Sequence, residues 1–307
     1  MKAIVTLTLN PAVDASSSAE KIQPVRKIRT STERFEPGGG GINAARVITE
    51  LGGRAFAVYL AGGVSGNVLD ELVRTAGLRF HRIYLDDPTR VSHVVYENSS
   101  GQEYRFTPEG PEIREREWRA ALEFLDLLDF DYLLASGSLP RGVPASFYTR
   151  VAEAAAAKGA RFIADTSGEA LARVMEHGAY LVKPSVGELE GVLGKDLRER
   201  SALEAAAREI VEAGKVELLT VTLGKEGALL THKGGQLYLE SPDVPVKSAV
   251  GAGDTFLAAM TLSLARGEAP ERAFAFGVAA GAATAMTPGT ELCHRADVER
   301  LARAMSH

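Results

Sequence analysis

From about residue 130 the sequence alternates short β-branched or apolar runs with stretches of helical pattern. DYLLASGS leads into the Ala-rich SFYTRVAEAAAAKG. RFIADTS, EALARVMEHG, YLVKPS, GELEGVLG, a helical stretch around 201–214 and ELLTVTLG follow. Strand and helix at this spacing build βαβ units around a mainly parallel sheet, so the expected class is α/β. Several strands run directly into small or polar residues: Gly137 and Ser138, Asp165, Lys183, and Thr222 with Gly224. Ligands of open α/β sheets collect beyond the carboxyl ends of the strands, and a site is expected there.

Two segments break the rhythm. Residues 15–36 mix polar and β-forming residues around Pro24 without a helical period, and 89–107 read as two strands around the turn NSSG. Both are expected in a small β-sheet that projects from the main body as a lid, an oligomer interface or both. Without a linker, repeat or low-complexity tract, residues 1–307 read as one domain carrying these two lid segments. A hydrophobic fraction of 45% is enough for a large core. The net charge of −5 carries no basic footprint for nucleic acid, and leaves a small anionic substrate open. The single cysteine, Cys293, excludes an internal disulfide and a Cys-based zinc cage, and fits a reducing cytosol. MKAIVTLTLNPAVD reads as a short strand rather than a signal peptide, and no run reaches the length of a membrane span. A cytoplasmic protein without a membrane partner is expected.

Two Gly-rich stretches carry the chemistry. In KSAVGAGDTFLAAM, Gly251, Ala252 and Gly253 stand at the start of a helix that runs to a Gly stop with Arg266 in its last turn. Unpaired N–H groups and the positive end of the helix dipole meet there, which makes the turn an anion hole. Asp254 either caps its own helix or works beside whatever those amides hold. In FEPGGGGINAARVITELGG, four glycines are read as a loop feeding a helix whose face is marked by Ile42, Ala45, Ile48 and Leu51. No Walker A loop is present, and the strand VTLTLNPAVD lacks the Gly-rich turn of a dinucleotide site.

Taken together, GGGINAARVITELGGRAFAVYLAGG and SAVGAGDTFLAAM resemble the two signatures of the ribokinase-like PfkB family of sugar kinases. The similarity extends over essentially the whole chain. TLTLNPAVD, FEPGGGGIN, EYRF, SGSLPRGV, DTSGEAL, LVKP and GVAAGAAT look most like the minor-type 6-phosphofructokinase branch. The resemblance implies a three-layer α/β/α fold with a β lid, and ATP-dependent phosphorylation of fructose 6-phosphate at its 1-hydroxyl. Alternatives are tagatose 6-phosphate or fructose 1-phosphate as the acceptor, or a catalytically silent sensor of sugar phosphate or nucleotide.

By that resemblance Asp254 is the base, and the amides of Gly251, Ala252 and Gly253 stabilise the transferring phosphoryl group. Asp14, Gly38, Gly39 and Asn43 face the sugar. Lys27, Arg90 and Arg105, helped by Ser138, bind its phosphate. Lys183, Ser185, Thr222, Gly224, Gly227, Val278 and Gly281 line the ATP site, and Glu188 positions Mg²⁺ through water. The family habit of binding K⁺ near the anion hole and dimerising through the lid is carried over too. One departure stands out: Ser185 occupies a position where the family commonly has Asn.

Overall fold

The computed structural model describes residues 2–305. Its strands are β1 (Ile4–Thr8), β2 (Ala12–Ala19), β3 (Ser31–Gly38), β4 (Ala55–Gly62), β5 (Arg79–Leu85), β6 (Arg90–Glu97), β7 (Gln102–Phe106), β8 (Tyr132–Ser136), β9 (Arg161–Asp165), β10 (Ala179–Val182), β11 (Val216–Thr222), β12 (Ala228–His232) and β13 (Gly235–Leu239). The helices are α1 (Gly40–Glu50), α2 (Gly63–Thr75), α3 (Glu115–Asp126), α4 (Phe147–Ala157), α5 (Gly168–His177), α6 (Val186–Leu193), α7 (Arg200–Glu212), α8 (Ala252–Ala265), α9 (Pro270–Ala285) and α10 (Arg295–Ala304).

Nine strands form one sheet in the order β13-β12-β11-β10-β9-β8-β1-β4-β5. From β11 to β5 all are parallel, while β12 and β13 fold back antiparallel at one edge. The chain winds one way through β1, β4 and β5, and the other way through β8 to β11. The reversal falls between β1 and β8, so a crevice opens beyond their carboxyl ends, where α/β folds bind ligands.

Period-two alternation distributes the strand side chains between two buried layers. Ile4, Tyr132 and Leu134 belong to the layer that includes α1, α8 and α9. Val5, Leu7, Leu133 and Ala135 belong to the layer built with α3, α4, α5 and α7. Helix α8 explains its own position: TFLAAMTLSLA has no charged face, every residue from Thr255 to Ala265 is buried, and it lies between α1 and α9. The α/β/α class expected from the sequence is borne out.

A second sheet, in the order β3-β2-β6-β7, is built from the two segments that broke the rhythm. In one detail the structure corrects the sequence reading. The four glycines are not all loop, because Gly40 and Gly41 form the first turn of α1. The first N–H groups of a helix need no intrahelical partner, and side chains have no room here. A Cβ added at Gly40 would lie 2.0 Å from Ser136 Oγ, and one at Gly41 would lie 2.5 Å from the Leu7 carbonyl oxygen.

Candidate active site

The site gathers at the crevice between β1 and β8. Gly251, with φ of 74°, makes the sharp entry to α8 and leaves Ala252, Gly253 and Asp254 in its first turn. An acid at that position often bonds to its own helix. Here, instead, Asp254 Oδ2 accepts from Asn43 Nδ2 at 2.9 Å and Oδ1 accepts from Ser136 Oγ at 3.3 Å. Two other elements, α1 and β8, therefore hold the carboxylate, and of the turn's amides that of Ala252 makes a long 3.4 Å contact to the Ala249 carbonyl. Burial raises the Asp254 pKa above the usual carboxylate range, against the Asn43 hydrogen bond, the Lys183 charge and the Ser136 hydroxyl. A carboxylate shifted in that direction is a stronger base.

Lys183, directly after β10, is buried with its Nζ 3.1 Å from Asp165 Oδ1 at the end of β9. Burial opposes its charge, but Asp165, with smaller help from Asp254 and Glu188, raises its pKa and keeps it an ammonium. Asp165 itself is pushed up to about 6 by burial, against the pull of Lys183. A Cβ added at Gly253 would lie 3.4 Å from Lys183 Nζ, so the ammonium stands beside the α8 turn. One cation and a fan of amides thus face the same space, an arrangement suited to the oxygens of a transferring phosphoryl group.

Ser185 and Glu188 form a reciprocal cap at the start of α6. Glu188 Oε2 accepts from the Ser185 amide at 2.7 Å and from its hydroxyl at 2.9 Å, and the Glu188 amide donates to Ser185 Oγ at 3.3 Å. The serine that departs from the family pattern therefore anchors the acid three residues on. Thr222 bridges to Ser185, and Gly224 and Gly227 flank the short turn Gly224–Glu226 after β11. Gly281 packs against the start of α8, where a Cβ would meet the Ala252 carbonyl oxygen at 3.2 Å. Val278 is buried in the core layer of α8 and α9.

The small sheet supplies the other wall. Paired residues of neighbouring strands share a face, as do alternate residues along one strand. By this register Asp14, Glu36, Arg90 and Arg105 lie on one face. Asp14 rests directly over Gly38, where an added Cβ would lie 2.0 Å from its carboxylate oxygen. Arg90 donates from Nη2 to the Asn10 carbonyl at 2.9 Å, from Nη1 to the Pro108 carbonyl at 3.0 Å and from Nε to the Pro11 carbonyl at 3.4 Å. Three of its five N–H groups are thus used to fix its place. Arg105 pairs with Glu103 at 2.6 Å and is half exposed. Lys27, in the connection from β2 to β3, and Ser138, in the loop after β8, are exposed. Gly39 is the residue that caps α1.

Burial pushes the Asp14 carboxyl up to about 6, although Arg90 and Arg46 pull it down. The unfolded chain releases this proton nearer its ordinary value of 3.8. Folding therefore costs more as pH rises from about 4 to about 6, and the cost is full above that. Asp14→Asn is expected to raise Tm by a few degrees at neutral pH, with the gain shrinking toward zero near pH 4, while weakening acceptor binding. Thermal unfolding at the two pH values checks this, and an equal gain at both would refute it.

Sequence reasoning missed Ser136 and gave Asp165 no role. Both sit at strand ends that the alternation already marked, but their partners are 118 residues away in one case and on a neighbouring strand in the other.

The pfkB family carbohydrate kinase profile matches residues 4–297. The chain is a pfkB-family carbohydrate kinase. Curated relatives of this kinase include the ATP-dependent 6-phosphofructokinase isozyme 2 of Mycobacterium tuberculosis H37Rv, 40% identical over 97% of this chain and 88% of that protein. The isozyme 2 of Escherichia coli K12 is 39% identical over 98% of both chains. The 1-phosphofructokinase of Bacillus subtilis is 30% identical over 94% of this chain and 95% of that one. Among solved structures, E. coli phosphofructokinase-2 in complex with fructose-6-phosphate superposes with a TM-score of 0.94 at 37% identity, covering all of both chains. The PfkB resemblance and the ribokinase-like fold read from the sequence are borne out.

Proposed function

We propose that this pfkB-family kinase transfers the terminal phosphoryl group of ATP to the 1-hydroxyl of fructose 6-phosphate, giving fructose 1,6-bisphosphate and ADP. The observation that carries the proposal is the Asp254 carboxylate, turned away from its own helix and held over the α8 turn by Asn43 and Ser136. The choice of acceptor is supported by relatives at 39–40% identity named 6-phosphofructokinase isozyme 2, against 30% for the 1-phosphofructokinase of B. subtilis.

The sugar oxygen forms a bond to the γ-phosphorus as the bond to the ADP oxygen breaks, and the proton passes to Asp254. The transition state is loose, so the chain's work is mostly positioning and charge stabilisation. Gly251, Ala252 and Gly253 direct amides at the equatorial oxygens, and Lys183 adds a fixed ammonium. Asp14 and Asn43 orient the acceptor hydroxyls, with Gly38 and Gly39 giving close backbone approach. The free donors of Arg90, with Arg105 and Lys27 from the small sheet and Ser138 from the β8 loop, take the 6-phosphate. Ser185, Thr222, Gly224, Gly227, Val278 and Gly281 line the nucleotide side.

Among the described residues no group of three or more His, Cys, Asp or Glu could cage a metal. That donor set suits Mg²⁺ carried mainly by nucleotide phosphates and touched through water by one carboxylate, and Glu188, anchored by Ser185, fits that part. When bound, Mg²⁺ neutralises charge on the phosphates. K⁺ binding is supported by the E. coli relative solved in complex with potassium, which has a TM-score of 0.96, and its place near the α8 turn rests on the family resemblance. A cytoplasmic location suits an ATP-dependent kinase, and among the described residues no helix is long and apolar enough to cross a membrane.

The small sheet acts as a lid and as the contact of a homodimer. On the face opposite Asp14, Phe35, Ala15, His93 and Phe106 form one row across all four strands. Phe35 is 49% exposed and Phe106 is 55% exposed, and the β3 and β7 edges are open. Phe35→Glu with Phe106→Glu is expected to convert a dimer to a monomer in sedimentation. Unchanged sedimentation would remove this face from the interface.

The deciding assay is ATP-dependent phosphorylation, with Mg²⁺, of fructose 6-phosphate, tagatose 6-phosphate, fructose 1-phosphate and fructose. The highest kcat/KM is expected on fructose 6-phosphate. Preference for another phosphorylated sugar would move the substrate and keep the mechanism. ATP binding without turnover on any of them would instead favour a sensor.

A further inference from the structure

Asn43 is held from both sides. Its Nδ2 donates to Asp254, and its Oδ1 accepts from Arg46 Nη1 at 3.3 Å, one helical turn further along α1. The two ends of a carboxamide have nearly the same shape, so packing alone sets its direction poorly. Charge sets it well in this place. A guanidinium only donates, so the oxygen must face Arg46, and a carboxylate only accepts, so the NH₂ must face Asp254. Both charges demand the same orientation, and both hydrogen bonds are charge-assisted.

Arg46 is in turn fixed by the small sheet. Its Nη2 lies 2.8 Å from Glu36 Oε1, and Nη1 donates to the Pro37 carbonyl at 3.1 Å. The other Glu36 oxygen accepts from the Thr290 hydroxyl in the segment after α9. The guanidinium and carboxylate side chains are only 15% and 20% exposed, so water screens the pair weakly. The chain of contacts therefore runs from β3 through Glu36, Arg46 and Asn43 to the oxygen of Asp254 that bears the proposed base.

We propose that Arg46, clamped by Glu36, is a positioning residue that holds the Asn43 amide in register and through it aims Asp254. The partners of Arg46 are Asn43, Glu36 and the Pro37 carbonyl. Removing Arg46 leaves Asp254 as the one charge orienting the Asn43 amide, so the amide is held less firmly and the carboxylate is aimed less well. The proposal rests on the reading of Asp254 as the base.

A double-mutant cycle on kcat tests it, using Arg46→Met, Asn43→Ala and the double variant, each checked for a folded melt above the assay temperature. Arg46→Met is expected to lower kcat by about 10-fold, with KM for ATP within about 2-fold. In the Asn43→Ala background the same change should alter kcat by less than about 2-fold, because its route to Asp254 is already gone. Equal loss in both backgrounds would make Arg46 a structural residue and overturn the proposal, as would an unchanged kcat in Arg46→Met alone. Should Arg46→Met not fold, Arg46→Lys keeps a charge but not the two-pronged geometry, and its smaller loss must likewise vanish without Asn43.

A crystal structure of the folded Arg46 variant gives a readout independent of turnover. An Asn43 side chain displaced from Asp254 supports the proposal, and one left in place refutes it. Failure of the wild-type chain to phosphorylate any acceptor would be a separate result, against the kinase reading alone.

Discussion

Asp254→Asn is expected to lower kcat by about 10³-fold while KM for both substrates and the affinity for ATP stay within a few-fold. The substitution keeps the shape of the side chain: its one oxygen can still accept from Asn43, while its NH₂ can donate to the Ser136 hydroxyl. What disappears is the capacity to take a proton from the acceptor hydroxyl. Positioning and the anion hole survive, which is why the loss stops well short of the uncatalysed rate. The acid side of the kcat–pH profile gives a second check. Burial raises the Asp254 pKa, so the wild-type kcat should fall as pH drops through that value, and the variant should lose this limb. Steady-state kinetics with calorimetric binding measures both. A variant within about 10-fold of the wild type would show that Asp254 is no base.

The second large effect is on stability as well as activity. Lys183→Met leaves Asp165 buried beside an apolar side chain where an ammonium stood 3.1 Å away. Breaking one side of a buried pair typically costs about 3–5 kcal/mol, and Tm should fall by about 10 °C at neutral pH. The sign of the pH dependence follows from Asp165. Its folded pKa is already raised to about 6 with the lysine present, and loss of the cation raises it further. Protonation relieves the unpaired charge, so the deficit against wild type is smallest below about pH 6, where Asp165 is protonated in both folded proteins, and grows as pH rises above it. Adding Asp165→Asn should recover much of the stability without restoring ATP affinity, because the proposed phosphate contact is the lysine's. Thermal unfolding across pH and ATP titration separate the two losses. A deficit that is flat with pH would mean that Asp165 is not the group left behind.

The sequence made the parallel sheet legible because each βαβ unit is a local pattern, and it marked the site because Gly-rich turns and strand-end polar residues are local too. Asp254 with its anion-hole turn and Lys183 could be singled out in this way, while Glu188 and the role of Asn43 came from the family resemblance. Pairings were not legible. That Ser136 reaches Asp254, that Asp165 neutralises Lys183, and that Glu36 clamps Arg46 all depend on which elements the fold sets side by side. The helical start at Gly40 was hidden for a similar reason. Propensity argues against glycine in a helix, but the crowding from Leu7, Ser136 and Asp254 that excludes any side chain is visible only in three dimensions.

The strand order also bears on how the chain comes off the ribosome. Strand β1 precedes both of its partners in the chain and is a central one, pairing with β4 and β8, with Ile4 paired to Ala55 and Tyr132. At translation speeds of about 5–20 residues per second, roughly 6–25 s pass between synthesis of β1 and arrival of its second neighbour. During that interval Val5 and Leu7, fully interior in the finished protein, have no complete layer to enter. The nascent amino-terminal region is therefore the part of this kinase most in need of shelter by chaperones, and changes in codon usage upstream of β8 should act on yield rather than on the activity of the folded enzyme.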